Sequence, residues 1–139
     1  MKLSIASYSF HGMVEAKTMD VFGYLEACRF RYQLRSADIW NGMMPTLEEG
    51  FLKALKAGLE EREMELANLC VDGPHLWEDD PAVREKHYQG ALAWLKAADF
   101  LKARTIRIDA GVHEPKFTTE QFDAIVKRYK EYAQFAHDH

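Results

Sequence analysis

A chain of 139 residues, 47% hydrophobic and 29% charged, is too apolar for disorder and long enough to bury one domain's core. Its net charge of −4 runs against the basic surface needed to neutralise phosphates, so nucleic acid is not expected as a partner. Cys28 and Cys70 form no CxxC pair, and no apolar run approaches the roughly 18 residues of a membrane span; a reduced, cytoplasmic protein without a membrane partner is expected.

In chain order, 2–9 reads as a first strand, with Leu3, Ile5 and Ser7 alternating with Ser4, Ala6 and Tyr8 before the turn Phe10-His11-Gly12. A helix over 20–31 places Val21, Leu25 and Cys28 on one side. The second strand is 36–40, closed by Asn41-Gly42. Thr46 and Glu49 form a Thr-x-x-Glu capping box for a helix running to about Arg62, with Phe51, Leu52, Leu55 and Leu59 as its apolar stripe.

Residues 65–71 read as the third strand, and the long connection 72–80 after it is a place where function concentrates. Asp80-Pro81 opens a third helix through Tyr88, Leu92, Leu95 and Phe100. The fourth strand is 105–109, and after Gly111-Val112-His113-Glu114-Pro115 a capping box at 118–121 starts a helix with Phe122, Ile125, Val126, Tyr129 and Phe135. Four strand–helix units at about 30 to 40 residues each predict parallel neighbours in a single α/β domain over 1–139, and the pattern calls for a fifth strand beyond His139.

The strands alternate where a sheet covered on both faces would be continuously apolar. Ala37, Ile39, Ala67, Leu69, Val71, Ile106 and Ile108 share one parity; Ser36, Asp38, Trp40, Asn68, Cys70, Asp72, Arg107 and Asp109 share the other. One face wants helices and the opposite face wants polar partners, water or a ligand, which a barrel interior satisfies better than a doubly wound sheet. Asp38, Asn68 and Arg107, mid-strand on the polar face, are expected to pair with one another.

The strand ends are the candidate site. They present His11, Trp40 with Asn41, Asp72 with His75, and Asp109 with His113 and Glu114. Imidazole in such positions binds metal, shuttles protons or holds a sugar hydroxyl, although a histidine in a loop commonly does none of these. Trp40 and Trp77 have the ring faces to stack on a sugar, but packing is the expected use of both. His87, inside the third helix, and His137 and His139, near the chain end, are read as solvated, and Cys70 as packing rather than a nucleophile. No P-loop, GxGxxG, GxSxG or HExxH motif occurs, which removes nucleotide hydrolysis and serine-hydrolase chemistry.

Segments 2–10, 37–40, 65–69 and above all Ala103-Arg104-Thr105-Ile106-Arg107-Ile108-Asp109-Ala110-Gly111 resemble the first four strands of the xylose-isomerase-like sugar phosphate isomerase/epimerase superfamily. The resemblance implies a (β/α)8 TIM-barrel type of fold, of which this chain supplies four units, a half barrel. It further implies a divalent metal (Mn, Mg, Co or Zn) and proton transfer next to a sugar carbonyl. Family metal ligands and catalytic carboxylates lie on strands five to eight, so none is carried over here. Only the substrate-side positions His11, Trp40, Asn41, Asp72, His75 and Asp109 are proposed. Endonuclease-like members use histidines after strands three and four, which marks His75 and His113; the acidic balance argues against a DNA substrate. Two glycines usual in the family are missing, one within 30–35 and one where Lys102 stands, so left-handed helix caps are in question there.

Two functions compete. In one, the chain is the substrate-binding half of a sugar or sugar-phosphate isomerase/epimerase, inactive by itself. In the other, the half barrel associates with itself as a homodimer through its open sheet edges and binds a sugar-like ligand or a protein partner without catalysis. An apurinic-endonuclease-like role ranks below both.

Overall fold

Alternation becomes sheet in three places. The structure, a computed structural model, describes residues 3–112 and 116–139. Strands β1 (Ser36–Trp40), β2 (Glu65–Val71) and β3 (Ile106–Ile108) form a parallel sheet in chain order, β2 in the middle. The helices are α1 (His11–Glu15), α2 (Val21–Glu26, continued by a π turn over Ala27–Arg31), α3 (Glu49–Glu61), α4 (Pro81–Phe100) and α5 (Thr119–Asp138). This is a mixed α/β fold with a short open sheet. From β1 onward it follows the expected order of strand–helix units, with three strands instead of four among the described residues and no closed barrel.

The first strand does not form. Ala6 makes a single parallel bridge to Asp38, and Ser7–Phe10 turns into a 3-10 helix. Side chains occupy the places a backbone ladder would fill. Ser36 Oγ donates to the Leu3 carbonyl (2.8 Å), the Tyr24 hydroxyl donates to the Ile5 carbonyl (2.6 Å) and accepts from Asp38 N–H (2.9 Å), and Trp40 N–H donates to Ser7 Oγ (2.7 Å). The segment lies along β1 and is bonded to it through hydroxyls.

A bulge shifts the parity read from the sequence. Ala37 pairs with Leu66 but Asp38 pairs with Asn68, leaving Ala67 as the extra residue. Leu66, not Ala67, is therefore buried with Ala37, Ile39, Leu69 and Val71. Thr105 Oγ1 donates to the Ala67 carbonyl at the bulge (2.8 Å). Against this apolar face pack Val21, Tyr24, Leu25 and Cys28 of the second helix and its π turn, Leu52, Leu55 and Leu59 of α3, Ala91 and Leu95 of α4, and Ile125 and Tyr132 of α5. Truncating a fully buried leucine such as Leu55 in such a core costs about 2–5 kcal/mol.

Helix starts separate the correct expectations from the incorrect one. Asp80 Oδ1 accepts from Ala82 N–H, and Thr118 and Gln121 close a reciprocal capping box, both as expected. The box at Thr46 does not form: Thr46 Oγ1 accepts from Glu48 N–H, a tighter turn, and α3 begins three residues later at Glu49. The buried row of α5 is Gln121, Ile125 and Tyr132; Phe122 is exposed, contrary to the expected stripe, and Tyr129, though partly exposed, donates its hydroxyl to the Ile108 carbonyl of β3 (2.9 Å). The missing glycines do not alter the backbone. Gln33 and Lys102 adopt the left-handed conformation themselves, both at φ 56°.

Candidate functional site

On the sheet face away from the helices, polar side chains of neighbouring strands bond across the sheet. Asn68 Nδ2 donates to Asp38 Oδ1 (3.0 Å), and Thr105 Oγ1 also lies 3.1 Å from Asn68 Oδ1. Nearer the carboxyl ends, Arg107 bonds both Asp72 and Asp109 through its two terminal nitrogens and reaches the Cys70 sulfur. Of the expected pairing among Asp38, Asn68 and Arg107, only Asp38 with Asn68 forms; Arg107 pairs with Asp72 and Asp109 instead. The polar face is thus split into two layers, because Arg107 points toward the strand ends and leaves Asp38 to Asn68.

Asp72 is held at both its carboxylate and its backbone. Trp40 Nε1 donates to its Oδ2 (2.8 Å), and the Asn41 side-chain amide donates to its carbonyl (2.9 Å) and accepts from its N–H (3.1 Å). Asn41 thereby extends the β1–β2 pairing past the end of β1 and fixes the backbone of Asp72. The Arg107 and Asp72 side chains are 51% and 42% exposed, so this pair adds little stability; its effect is to orient the carboxylate. Burial raises the Cys70 thiol, an effect the Arg107 contact opposes without cancelling, so Cys70 stays protonated at neutral pH. That agrees with packing rather than nucleophilic attack.

Four of the six expected site residues, Trp40, Asn41, Asp72 and Asp109, are joined directly or through Arg107. His11 stands apart at the start of α1, its Nδ1 bonded to the Tyr8 carbonyl (2.9 Å) and its ring stacked on Tyr8, which meets Trp40 edge-on. His113 and Glu114 lie outside the described residues. Trp77 is buried and offers no free face to a sugar, and one side of the Trp40 ring is taken by Gly42. A β-carbon on Gly42 would fall 2.1 Å from the Trp40 ring, and the Arg84 guanidinium sits 3.9 Å from the centre of the Trp77 ring.

His75 belongs to a second cluster. Its Nδ1 lies 2.8 Å from Glu78 Oε1, and His87 Nδ1 lies 3.3 Å from the same oxygen. The two imidazole rings meet edge to face, 5.5 Å between centres. One donor atom from each of the three residues lies within 4.8 Å of the other two. Two imidazoles and a carboxylate are a donor set able to coordinate a divalent metal.

His87 is therefore not the solvated helix residue expected. Its side chain is 23% exposed and its Nδ1 is buried. Sequence reading missed both Glu78 and His87. The available signal was helical spacing: Arg84, His87, Ala91, Leu95 and Ala98 recur at three and four residues, which places His87 on the inward row of α4.

The loop carrying His75 and Glu78 is clamped. Leu76 N–H and Trp77 N–H donate to the carbonyls of Asp109 and Ala110 (3.2 and 2.9 Å), extending β2–β3 contact beyond the strands. Arg84 Nε donates to the Glu78 carbonyl (2.9 Å), tying the loop to α4. A concavity of about 550 Å3 at the amino ends of the strands, lined by Leu34, Arg35, Ser36 and Glu63 among others, faces away from both clusters.

No helix among the described residues is long and apolar enough to cross a membrane. Comparison with protein-family models and with curated proteins finds no match to this chain.

Proposed function

We propose that this chain supplies the substrate-side half of a sugar or polyol isomerase/epimerase of the (β/α)8 barrel type, in which a proton moves next to a carbonyl with metal assistance, and that it lacks that activity by itself. The observation supporting this is the bonded set Trp40–Asp72–Arg107–Asp109 at the carboxyl ends of parallel strands in chain order, where barrel enzymes bind substrate. Asp72 and Asp109 share one guanidinium there, and Asp38, one layer below, is bonded only to the neutral Asn68 side chain, so the surface is acidic. Carboxylates accept hydrogen bonds from sugar hydroxyls, whereas a phosphate would be repelled. A neutral sugar or polyol is accordingly favoured over a sugar phosphate. Calorimetric titration with a panel of aldoses, ketoses, polyols and their phosphates tests this. Asp109→Ala should weaken binding of the preferred neutral ligand at least tenfold with an unchanged melting curve. Wild-type affinity in that variant, or no ligand in the panel binding, removes the reading.

One observation favours self-association as a second reading. β3 is the last strand of the open sheet among the described residues, and on and just before α5, whose Tyr129 bonds the Ile108 carbonyl of β3, Phe117, Phe122 and Tyr129 expose about half of their surface. Two copies would bury these rings and close the edge. Light scattering over a concentration series would give a discrete dimer; a monomer at every concentration would refute it.

A further inference from the structure

We propose that His75, Glu78 and His87, the first two on the loop after β2 and the third on α4, form a binding site for a transition-metal ion of the Zn2+ or Co2+ class. The site goes beyond the sugar reading and does not depend on it, since none of its three residues belongs to the Trp40–Asp72–Arg107–Asp109 set.

Three observations carry the assignment. The first is donor chemistry. Two imidazoles and one carboxylate are the protein ligands of zinc sites that keep a fourth position for water or substrate. Imidazole nitrogen favours Zn2+ and Co2+ over Mg2+, which prefers an all-oxygen shell.

Spacing is the second. Ligands bound at about 2.1 Å in tetrahedral geometry stand about 3.4 Å apart. The His87 Nδ1 to Glu78 Oε1 separation of 3.3 Å already has that value. The His75 Nδ1 to Glu78 Oε1 separation of 2.8 Å has to open by about 0.6 Å to reach that spacing, within reach of a side-chain rotation.

The third is an unsatisfied atom. His87 Nδ1 is buried and makes no hydrogen bond, although Glu78 Oε1 is only 3.3 Å away, because the two are not aligned for one. Leaving a buried ring nitrogen unbonded is costly, and a cation between nitrogen and carboxylate would remove that cost.

The cluster is also held in place. His75 cannot retreat toward the sheet, because Gly111 passes against it so closely that a β-carbon there would lie 2.3 Å from His75 Cβ. Glu78 is fixed at its carbonyl by Arg84, and His87 is carried on the second turn of a twenty-residue helix with a side-chain cap. Donors held this way lose little freedom on binding.

The test is titration of the chelator-stripped 139-residue protein with Co2+, followed by its visible d–d absorption, and with Zn2+ in competition with a chromophoric chelator. The proposal expects one ion per chain, Co2+ bands of a four-coordinate ion, displacement by Zn2+ and no displacement by millimolar Mg2+. His87→Ala and Glu78→Gln should each lower affinity at least tenfold, and the double variant His137→Ala/His139→Ala should leave it unchanged. Glu78→Gln keeps the shape of the side chain and serves if His87→Ala fails to fold. Absence of binding by folded wild type, or affinity lost with His137 and His139 instead, overturns the site. Variants that lower the melting temperature while binding Co2+ as the wild type does would show a structural clamp and overturn it equally.

Discussion

Gly111 and His75 pack backbone against side chain: Gly111 sits at φ +82°, and a β-carbon placed on it would lie 2.3 Å from His75 Cβ and 2.8 Å from the Trp77 carbonyl. Through this contact the segment after β3 sets the position of the loop after β2. Both the strand-end carboxylates and the histidine cluster depend on that loop, so Gly111 is the position where a one-carbon change reaches both.

Gly111→Ala should therefore destabilise the protein by at least about 2 kcal/mol, from left-handed strain together with displacement of the loop. Gly73, at φ +108° with open space around its absent β-carbon, provides the comparison. Gly73→Ala should cost only the backbone strain, about 1–2 kcal/mol. Urea denaturation of the two variants checks this, and equal losses would mean that the close approach to His75 carries no packing energy.

The Tyr24 hydroxyl bonds the Ile5 carbonyl and the Asp38 N–H together, in place of a strand ladder. Tyr24→Phe keeps the ring and leaves both backbone groups without that partner, a loss of about 2 kcal/mol. The midpoint of urea unfolding should fall, and amide exchange over residues 3–9 should accelerate more than in α4. An unchanged midpoint would mean that solvent already reaches these groups.

Gln33 closes the turn after the second helix at φ 56°, with Leu34 N–H bonded to the Cys28 carbonyl (2.9 Å). Its side chain is exposed, so nothing but the backbone is altered by Gln33→Gly. Relief of left-handed strain, reduced by the extra freedom glycine gives the unfolded chain, should stabilise the protein by about 0.5–1 kcal/mol. A rise in melting temperature checks it; a fall would mean that Gln33 makes a favourable contact in the fold.

Periodicity determined much of this protein without help from tertiary contact. The bounds of β1 and β2, the parallel order, the start of α4 at Pro81 and the capping box at Thr118 all follow from local rules, because alternation, capping and proline geometry act over four or five residues. The polar parity that carries Asp72, Arg107 and Asp109 was legible for the same reason.

What tertiary structure alone decided lies where distant segments compete for the same partner. Residues 3–9 have a strand's alternation, yet hydroxyls from Tyr24 and Ser36 take the bonds that a ladder would have used, and no local pattern announces that. The bulge at Ala67 lies in the pairing of β2 with β1, and it puts Leu66 in the core in place of Ala67. Glu78 and His87 stand nine residues apart and meet because Leu76 and Trp77 bond to the segment after β3, thirty-three residues further on in each case. Sequence spacing records contacts along a helix or strand; a cluster assembled by loop closure onto another strand leaves in the sequence only the right residue types.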